Sequence, residues 1–473
     1  MDTIYITAYS ETHLLVTTNS DNIDNALADT FKFFVPGYRY MPSYKRGNWD
    51  GSIRLWNPAT KTIYRGLLPR ILKFAKEYGC TVDMADDTYV PNNYTMAEIE
   101  EFLDNLNLPI TPYDYQMETV LHAVNQKRLT ILSPTGSGKS LIIYLLSLVL
   151  GLKTLIIVPT RALVSQMEGD FYDYGYSGTI HLIYSGKDKD TKEKITITTW
   201  QSLLRVKKEW YKQFDCVFVD ETHQAKAKSL TNILESMKNT EYRYGTTGTL
   251  DGEKTNRFII EGLLGPVFRI VTTSQLMDDK VLAQLKVRCL KIIHTDDLNE
   301  SAKNWRYQRE VEYIIGSPVR NEFIVKLAVK LPGNNLVLFR YVKKHGDVLH
   351  KMLQEQTDRP IYYIHGEIDG GIRDDMRAEI EKETNAIILA GVQAFATGSN
   401  VKMLNNIIFT HPSKSRITTL QAIGRVLRRN EAKTTATLYD LTDDLKFSAR
   451  HFEERLKIYK SEEFPFKIDE IKF

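Results

Sequence analysis

The sequence predicts an α/β protein: two parallel-sheet domains in tandem, a small basic α+β domain before them and a short helical tail after them. Three observations predict this. Short apolar runs alternate with amphipathic helices in two series. One series is Leu129–Leu132, Thr154–Val158, Ile195–Thr199 and Cys216–Val219. The other is Leu336–Phe339, Ile361–Ile364, Ala386–Leu389, Asn406–Phe409 and Ala436–Leu441. Runs apolar at every position belong to strands covered on both faces, which is the parallel-sheet pattern. The length of 473 residues, 42% of them hydrophobic, suits several cores. Finally, the net charge of +3 hides an uneven distribution: ten basic residues between Lys32 and Lys76 face a single acid, Asp50.

The first 92 residues read as the basic domain. Strand-like segments lie between Ile4 and Thr18, and Leu67, Leu68, Ile71, Leu72 and Ala75 share one side of a helix over Leu67–Tyr78. Val90-Pro91-Asn92-Asn93-Tyr94 reads as a linker. Residues 93–272 and 273–446 are then the two sheet domains, with a polar hinge at Ser274–Asp279, and 447–473 the helical tail. No run is apolar enough to span a membrane, and the start of the chain lacks signal-peptide features, so a cytoplasmic protein without a membrane partner is expected. Cys80, Cys216 and Cys289 are too scattered for a zinc ribbon or a disulfide framework.

Between an apolar strand and the helix Leu141–Leu150 stands Ser133-Pro134-Thr135-Gly136-Ser137-Gly138-Lys139-Ser140. This is a phosphate-binding loop in which Ser133 occupies the first glycine position. Gly136 and Gly138 let backbone N–H groups approach phosphates, Lys139 neutralises the β and γ oxygens, and Ser140 is a Mg²⁺ ligand. The helix N-terminus adds positive potential. A second strand delivers Asp220-Glu221-Thr222-His223 at its C-terminal end. There Asp220 would hold Mg²⁺ and Glu221 would deprotonate the attacking water. Arg425 and Arg428, three apart on a helix, can present guanidinium groups to a triphosphate from the second domain.

Taken in order, these strings resemble the superfamily-two helicases of the DExH type. Tyr115-Gln116 resembles the adenine-reading glutamine motif; Pro159-Thr160-Arg161-Ala162-Leu163 and Thr198-Thr199-Trp200-Gln201-Ser202-Leu203 resemble motifs Ia and Ib. Thr247-Gly248-Thr249, Phe339-Arg340, His365-Gly366, Thr397-Gly398-Ser399-Asn400 and the Gln421 to Arg429 string follow in family order, with Asn400 where many relatives carry an acid. The resemblance implies RecA-like domains and an ATP- and Mg²⁺-dependent helicase. Its nucleotide site would include Tyr115, Gln116, Pro134 to Ser140, His223 and Gly398, with Gln421 in the catalytic set. It implies a phosphate track of Thr160, Arg161, Thr199, Gln201 and Ser202 in one domain and Arg340, His365, Gly366 and Thr397 in the other.

Gly37-Tyr38-Arg39-Tyr40, Arg46 to Leu55 and Lys207-Lys208-Glu209-Trp210 extend the likeness to phage recombination and repair helicases. The implied activity is remodelling of branched or forked DNA by unwinding, branch migration, fork regression and annealing. Single-stranded DNA is a further implied ligand, other recombination proteins are implied partners, and the expected state is a monomer. Independently, the basic segment interleaves Arg39, Lys45, Arg46 and Arg54 with Trp49 and tyrosines, which suits stacking on bases and pairing with phosphates. The motor strings also fit an RNA helicase or RNP remodeler. An annealing protein with a regulatory ATPase is the third reading.

Overall fold

The computed structural model describes residues 2–184, 189–223, 228–250, 254–368, 370–392, 404–412, 415–427 and 433–472, with backbone alone at 254–255, 370–371, 373–374, 377, 416–417 and 425. The chain forms two compact units. One comprises Met1–Ser133 and Gly138–Ile270, the other Pro134–Ser137 and Val271–Phe473.

In the first unit, β1 (Thr3–Ala8), β2 (His13–Thr18), β5 (Thr62–Tyr64) and β6 (Thr81–Met84) form a sheet in the order β5-β2-β1-β6. Beside it β3 (Lys32–Phe34) pairs with β4 (Ser52–Arg54). Alternation puts Ile4, Ile6, Leu14 and Val16 inward, against Ile71 and Phe74 of helix α1 (Leu68–Glu77). Trp56 closes this core, 1% exposed, with its indole N–H donating to the Val16 carbonyl at 3.2 Å.

A seven-stranded sheet follows, every pair parallel, in the order β13-β7-β12-β11-β8-β10-β9. Its strands are β7 (Arg128–Leu132), β8 (Thr154–Val158), β9 (Ile180–Ile183), β10 (Ile195–Thr199), β11 (Cys216–Asp220), β12 (Tyr242–Thr247) and β13 (Val267–Arg269). Both faces are covered. Ile156, Val158 and Phe218 join one core; Leu155, Ile157, Val217 and Val219 join another. That division is why these strands read as unbroken apolar runs.

The basic domain is fixed to this sheet domain along helix α2 (Lys254–Leu264). Arg70 lies 3.9 Å over the Phe258 ring and donates to Glu261 at 2.5 and 2.9 Å. Phe33 meets Phe258 edge-on at 4.8 Å. Arg65 and Arg128 share Glu11, and the Tyr64 hydroxyl donates to Glu235 at 2.5 Å. A Cβ at Gly66 would lie 2.0 Å from the Glu261 carbonyl oxygen, so the backbones touch there. The 90–94 linker is also pinned: the Asn92 and Tyr94 amides bond Asn125 at 3.1 and 2.8 Å.

The second unit holds another all-parallel sheet, β16-β17-β15-β18-β19-β14-β20. Its strands are β14 (Gln284–Ile293), β15 (Asn334–Phe339), β16 (Ile361–Ile364), β17 (Ile387–Gly391), β18 (Leu404–Phe409), β19 (Thr435–Asp443) and β20 (Phe466–Lys472). The polar segment at 274–279, expected as a hinge, carries the helix Thr273–Asp278. Thr272 and Gln275 form a capping box at its start, and Leu276 and Met277 are buried. The tail is a helix, Lys446–Ser461, followed by β20, which the sequence reading did not assign.

Candidate active site and nucleic-acid interface

The phosphate loop leaves β7 at Ser133, fully buried, and enters helix α3 (Lys139–Leu150) at Gly138. Gly136 and Gly138 adopt φ of +87° and +79°, which side chains disfavour. Position 138 has a second constraint: a Cβ there would lie 2.3 Å from Gln116 Nε2. Gln116 is buried, and its Oε1 accepts from the Tyr113 amide at 2.9 Å. The glutamine-motif side chain and the loop glycine therefore pack as one piece. Tyr115 stacks on Tyr113 at 5.7 Å between centroids, with Tyr113 half exposed. Lys139 Nζ donates to the Ser133 carbonyl at 3.3 Å, a weak bond that a phosphate can displace. Within the loop tip, Ser137 Oγ donates to the Pro134 carbonyl at 2.7 Å.

On the neighbouring strands, Asp220 ends β11 and its Oδ1 accepts from Thr246 Oγ1 at 2.6 Å. Burial raises the Asp220 pKa and repulsion from Glu221 adds to the rise; Lys139 and the Thr246 hydrogen bond oppose it. Glu221 sits at φ +51°, a left-handed conformation costing a non-glycine residue on the order of 1–3 kcal/mol. His223 Nδ1 lies 3.3 Å from Thr247 Oγ1, its hydrogen-bond partner, and 3.2 Å from Glu221 Oε2.

Ser140 Oγ lies 2.9 Å from the Tyr174 hydroxyl. If the serine donates, both its lone pairs remain available to a metal. Ser140 and Asp220 supply hard oxygen donors, and a site with few protein ligands suits Mg²⁺, which keeps several waters and substrate phosphates. Among the described residues no group of three or more His, Cys, Asp or Glu could hold a metal by itself.

A groove of about 740 Å³ gathers the whole first half of the expected phosphate track: Thr160, Arg161, Thr199, Gln201 and Ser202. Thr160 caps helix α4 (Arg161–Asp173), accepting from the Leu163 amide at 3.4 Å. Thr199 is buried with its Oγ1 3.0 Å from Ser202 Oγ, and Gln201 is exposed. The hydroxyls are thus partly engaged in holding their own loops.

In the second unit, Arg340 is exposed beyond β15 and lies 5.8 Å over the Tyr341 ring. His365 stands 4.7 Å from the Tyr363 ring, and its Nδ1 has no hydrogen-bond partner among the described residues. Gly366 faces open space. Gln421 and Arg425 lie on the helix Arg416–Val426. Thr397, Gly398 and Arg428 lie outside the described residues.

The basic domain's cations differ in how they are engaged. Arg65 and Arg70 are part-buried in ion pairs to Glu11 and Glu261 and serve the domain junction. Arg54 and Lys32 share Asp50, at 2.5 and 3.6 Å. Lys45 and Arg46 are exposed and make no ion pair among the described residues, while exposed Arg39 bonds only the Tyr38 hydroxyl, at 3.3 Å. Trp49 is half-buried, its indole N–H donating to the Ser52 carbonyl at 2.7 Å.

Three family models match the chain: "DNA helicase UvsW, N-terminal" over residues 4–85, "Type III restriction enzyme, res subunit" over 90–252 and "Helicase conserved C-terminal domain" over 320–430. The ATP-dependent DNA helicase uvsW of Enterobacteria phage T4 is 34% identical, over 93% of this chain and 93% of that protein. The chain belongs to the UvsW family of superfamily-two helicases. The crystal structure of T4 UvsW matches with a TM-score of 0.53 at 31% identity, covering 99% of each chain. A DNA 3'-5' translocase, XPB2, of Sulfurisphaera tokodaii is 27% identical over 42% of this chain and 46% of its own. The type ISP restriction-modification enzyme LlaBIII bound to DNA shares the fold, at a TM-score of 0.59 and 15% identity, over 77% of this chain and 32% of that one.

As a member of the UvsW family, this protein is an ATP-hydrolysing DNA helicase with tandem RecA-like domains. Several residues of this helicase site carry no sequence signal of their own. Thr246 belongs to a strand interrupted by Arg243. Tyr174 reaches Ser140 from thirty-four residues away. Tyr184, Lys189, Leu204 and Arg205 complete the groove from segments outside the quoted motifs. Among the described residues no helix is long and apolar enough to cross a membrane.

Proposed function

We propose that this UvsW-family helicase remodels branched or forked DNA, coupling ATP hydrolysis to unwinding, branch migration, fork regression and annealing in replication, recombination and repair. One observation carries the reading. A domain whose exposed Lys45 and Arg46 make no ion pair among the described residues is fixed by part-buried contacts onto the sheet that bears the phosphate loop. Duplex held at Arg39, Lys45, Arg46, Trp49 and Arg54 therefore stays registered to the motor.

In this reading Lys139 neutralises the triphosphate oxygens while Gln116 and Tyr115 hold the base. Ser140 and Asp220 hold Mg²⁺, which supplies charge neutralisation at the phosphates. Glu221, beside His223, takes the proton from the attacking water. Gln421, Arg425 and Arg428 supply charge stabilisation as the terminal phosphoryl departs, and Gly398 contributes to the same nucleotide site. Strand phosphates rest on Thr160, Arg161, Thr199, Gln201 and Ser202, and in the second unit on Arg340, His365, Gly366 and Thr397. We take the active species to be a monomer in the cytoplasm, the host's if the protein is viral, open to single-stranded DNA and to other recombination proteins.

A substrate panel tests this: a model fork, a four-way junction, a displacement loop and an RNA duplex, each with purified protein and ATP. The expected result is ATP-dependent conversion of the branched DNAs and little action on RNA. Equal or greater activity on the RNA duplex, or strand annealing with no ATP-driven displacement, would overturn it.

A further inference from the structure

A second cleft, of about 430 Å³, opens between the basic domain and the helix Lys228–Ser236. The basic domain lines it with His13, Arg54, Asn57 and Thr62; the sheet domain contributes Lys228 and Thr231. Among the described residues no carboxylate lines it, although Asp50 reaches Arg54 and Glu235 reaches Tyr64 from outside. Lys228 is exposed and makes no ion pair among the described residues. Asn57 Oδ1 accepts from the Ala59 and Thr60 amides at 3.0 and 3.3 Å, which leaves its Nδ2–H groups as the available donors. Arg54 is half exposed, and its pair with Asp50 is a surface one that an incoming anion can share. His13 is part-buried, and desolvation lowers its pKa, so it offers a neutral ring there.

The balance of groups decides what this cleft takes. Another cavity at the same domain junction, about 340 Å³, is also basic, with Arg65, Lys127 and Arg128, but Glu11, Asp87 and Glu241 line it too. Its charges neutralise one another. In the 430 Å³ cleft the charged lining groups are the cations Arg54 and Lys228, set beside Asn57 and among the apolar Ile53, Leu55 and Ile259, so its charge favours an anion. It continues from β4, whose Arg54 belongs to the basic segment, to a helix that follows Asp220 and Glu221 in the chain.

We propose that this cleft grips the sugar-phosphate backbone of a DNA strand, with Lys228 and Arg54 on phosphates and Asn57 donating beside them. DNA is then held jointly by the basic domain and by the helix that follows Asp220 and Glu221 in the chain. The inference rests on the reading that the basic domain binds DNA.

Fluorescence anisotropy with a labelled DNA fork across a salt series tests it, using Lys228→Ala, Asn57→Asp and, as a separate arm, Lys45→Glu with Arg46→Glu. Lys228→Ala should weaken binding several-fold and reduce the slope of log affinity against log salt by about 1, the value for one lost phosphate contact. Asn57→Asp should weaken binding through repulsion. Melting temperature and DNA-free ATPase should not move, since both residues are exposed and away from the nucleotide. If both cleft variants keep wild-type affinity and slope while the Lys45/Arg46 variant binds poorly, the cleft proposal is wrong and the domain reading stands. If none of the three binds less well, both are wrong. A loss confined to an RNA duplex of the same sequence would also overturn the proposal.

Discussion

Asp220 shows how a single side chain carries a functional cost. Its carboxyl is buried and stands beside Glu221, and both effects raise its pKa in the folded protein. A raised acid holds its proton in the native state at a pH where the unfolded chain has lost it. Stability contributed by that group therefore falls as pH rises from the ordinary aspartate value through the folded one. Asp220→Asn keeps the oxygen that accepts from Thr246 and removes the charge. The nucleotide-free variant should melt higher than wild type at neutral pH, with the difference vanishing in acid, and should not hydrolyse ATP. A lower melting temperature at neutral pH would contradict this. The site's chain-local parts were legible because each motif sits where a strand meets a loop or helix. The Ser140–Tyr174 contact and the packing of Gln116 against Gly138 join residues distant in sequence, and no local pattern announces them.

At the scale of elements, apolar runs marked strands covered on both faces, and all nine fall on strands, Ala386 alone lying one residue before β17. Within the two sheet domains, the strands without such runs went unread. In β12 Arg243 interrupts the pattern; it is fully buried and donates to the Leu263, Met237 and Leu234 carbonyls at 2.9, 3.0 and 2.5 Å. β20 is an edge strand, and its charges are of the kind that protects an edge. The tail helix carries another hidden element. Arg455 is 1% exposed and donates to Asp440 at 2.8 Å, and the Tyr459 hydroxyl bonds the same carboxylate at 2.8 Å. Glu310 caps the helix start, accepting from the Phe447 and Ser448 amides at 2.9 and 2.6 Å. Removing one partner of such a buried pair strands the other. Asp440→Asn should therefore cost about 3–5 kcal/mol, read as a lower urea midpoint for the second unit. A loss under 1 kcal/mol would show that Arg455 finds water instead.

For the whole molecule, charge is arranged across domains rather than along the chain. The basic segment looked like a uniform patch, yet Glu11 and Glu261, from outside that segment, neutralise Arg65 and Arg70 at the junction. Arg39, Lys45 and Arg46 are exposed and make no ion pair among the described residues, and the domain bearing them is fixed to the sheet domain that carries Lys139, Asp220 and Glu221. ATP turnover at those residues is the claimed source of strand movement. Single-turnover remodelling of a model fork by Glu221→Gln tests it most directly. The variant should bind ATP and fork as wild type does, hydrolyse about 10²- to 10⁴-fold more slowly, as for loss of a general base, and leave the fork unconverted on the wild-type timescale. Fork conversion by Glu221→Gln at the wild-type rate would contradict the account.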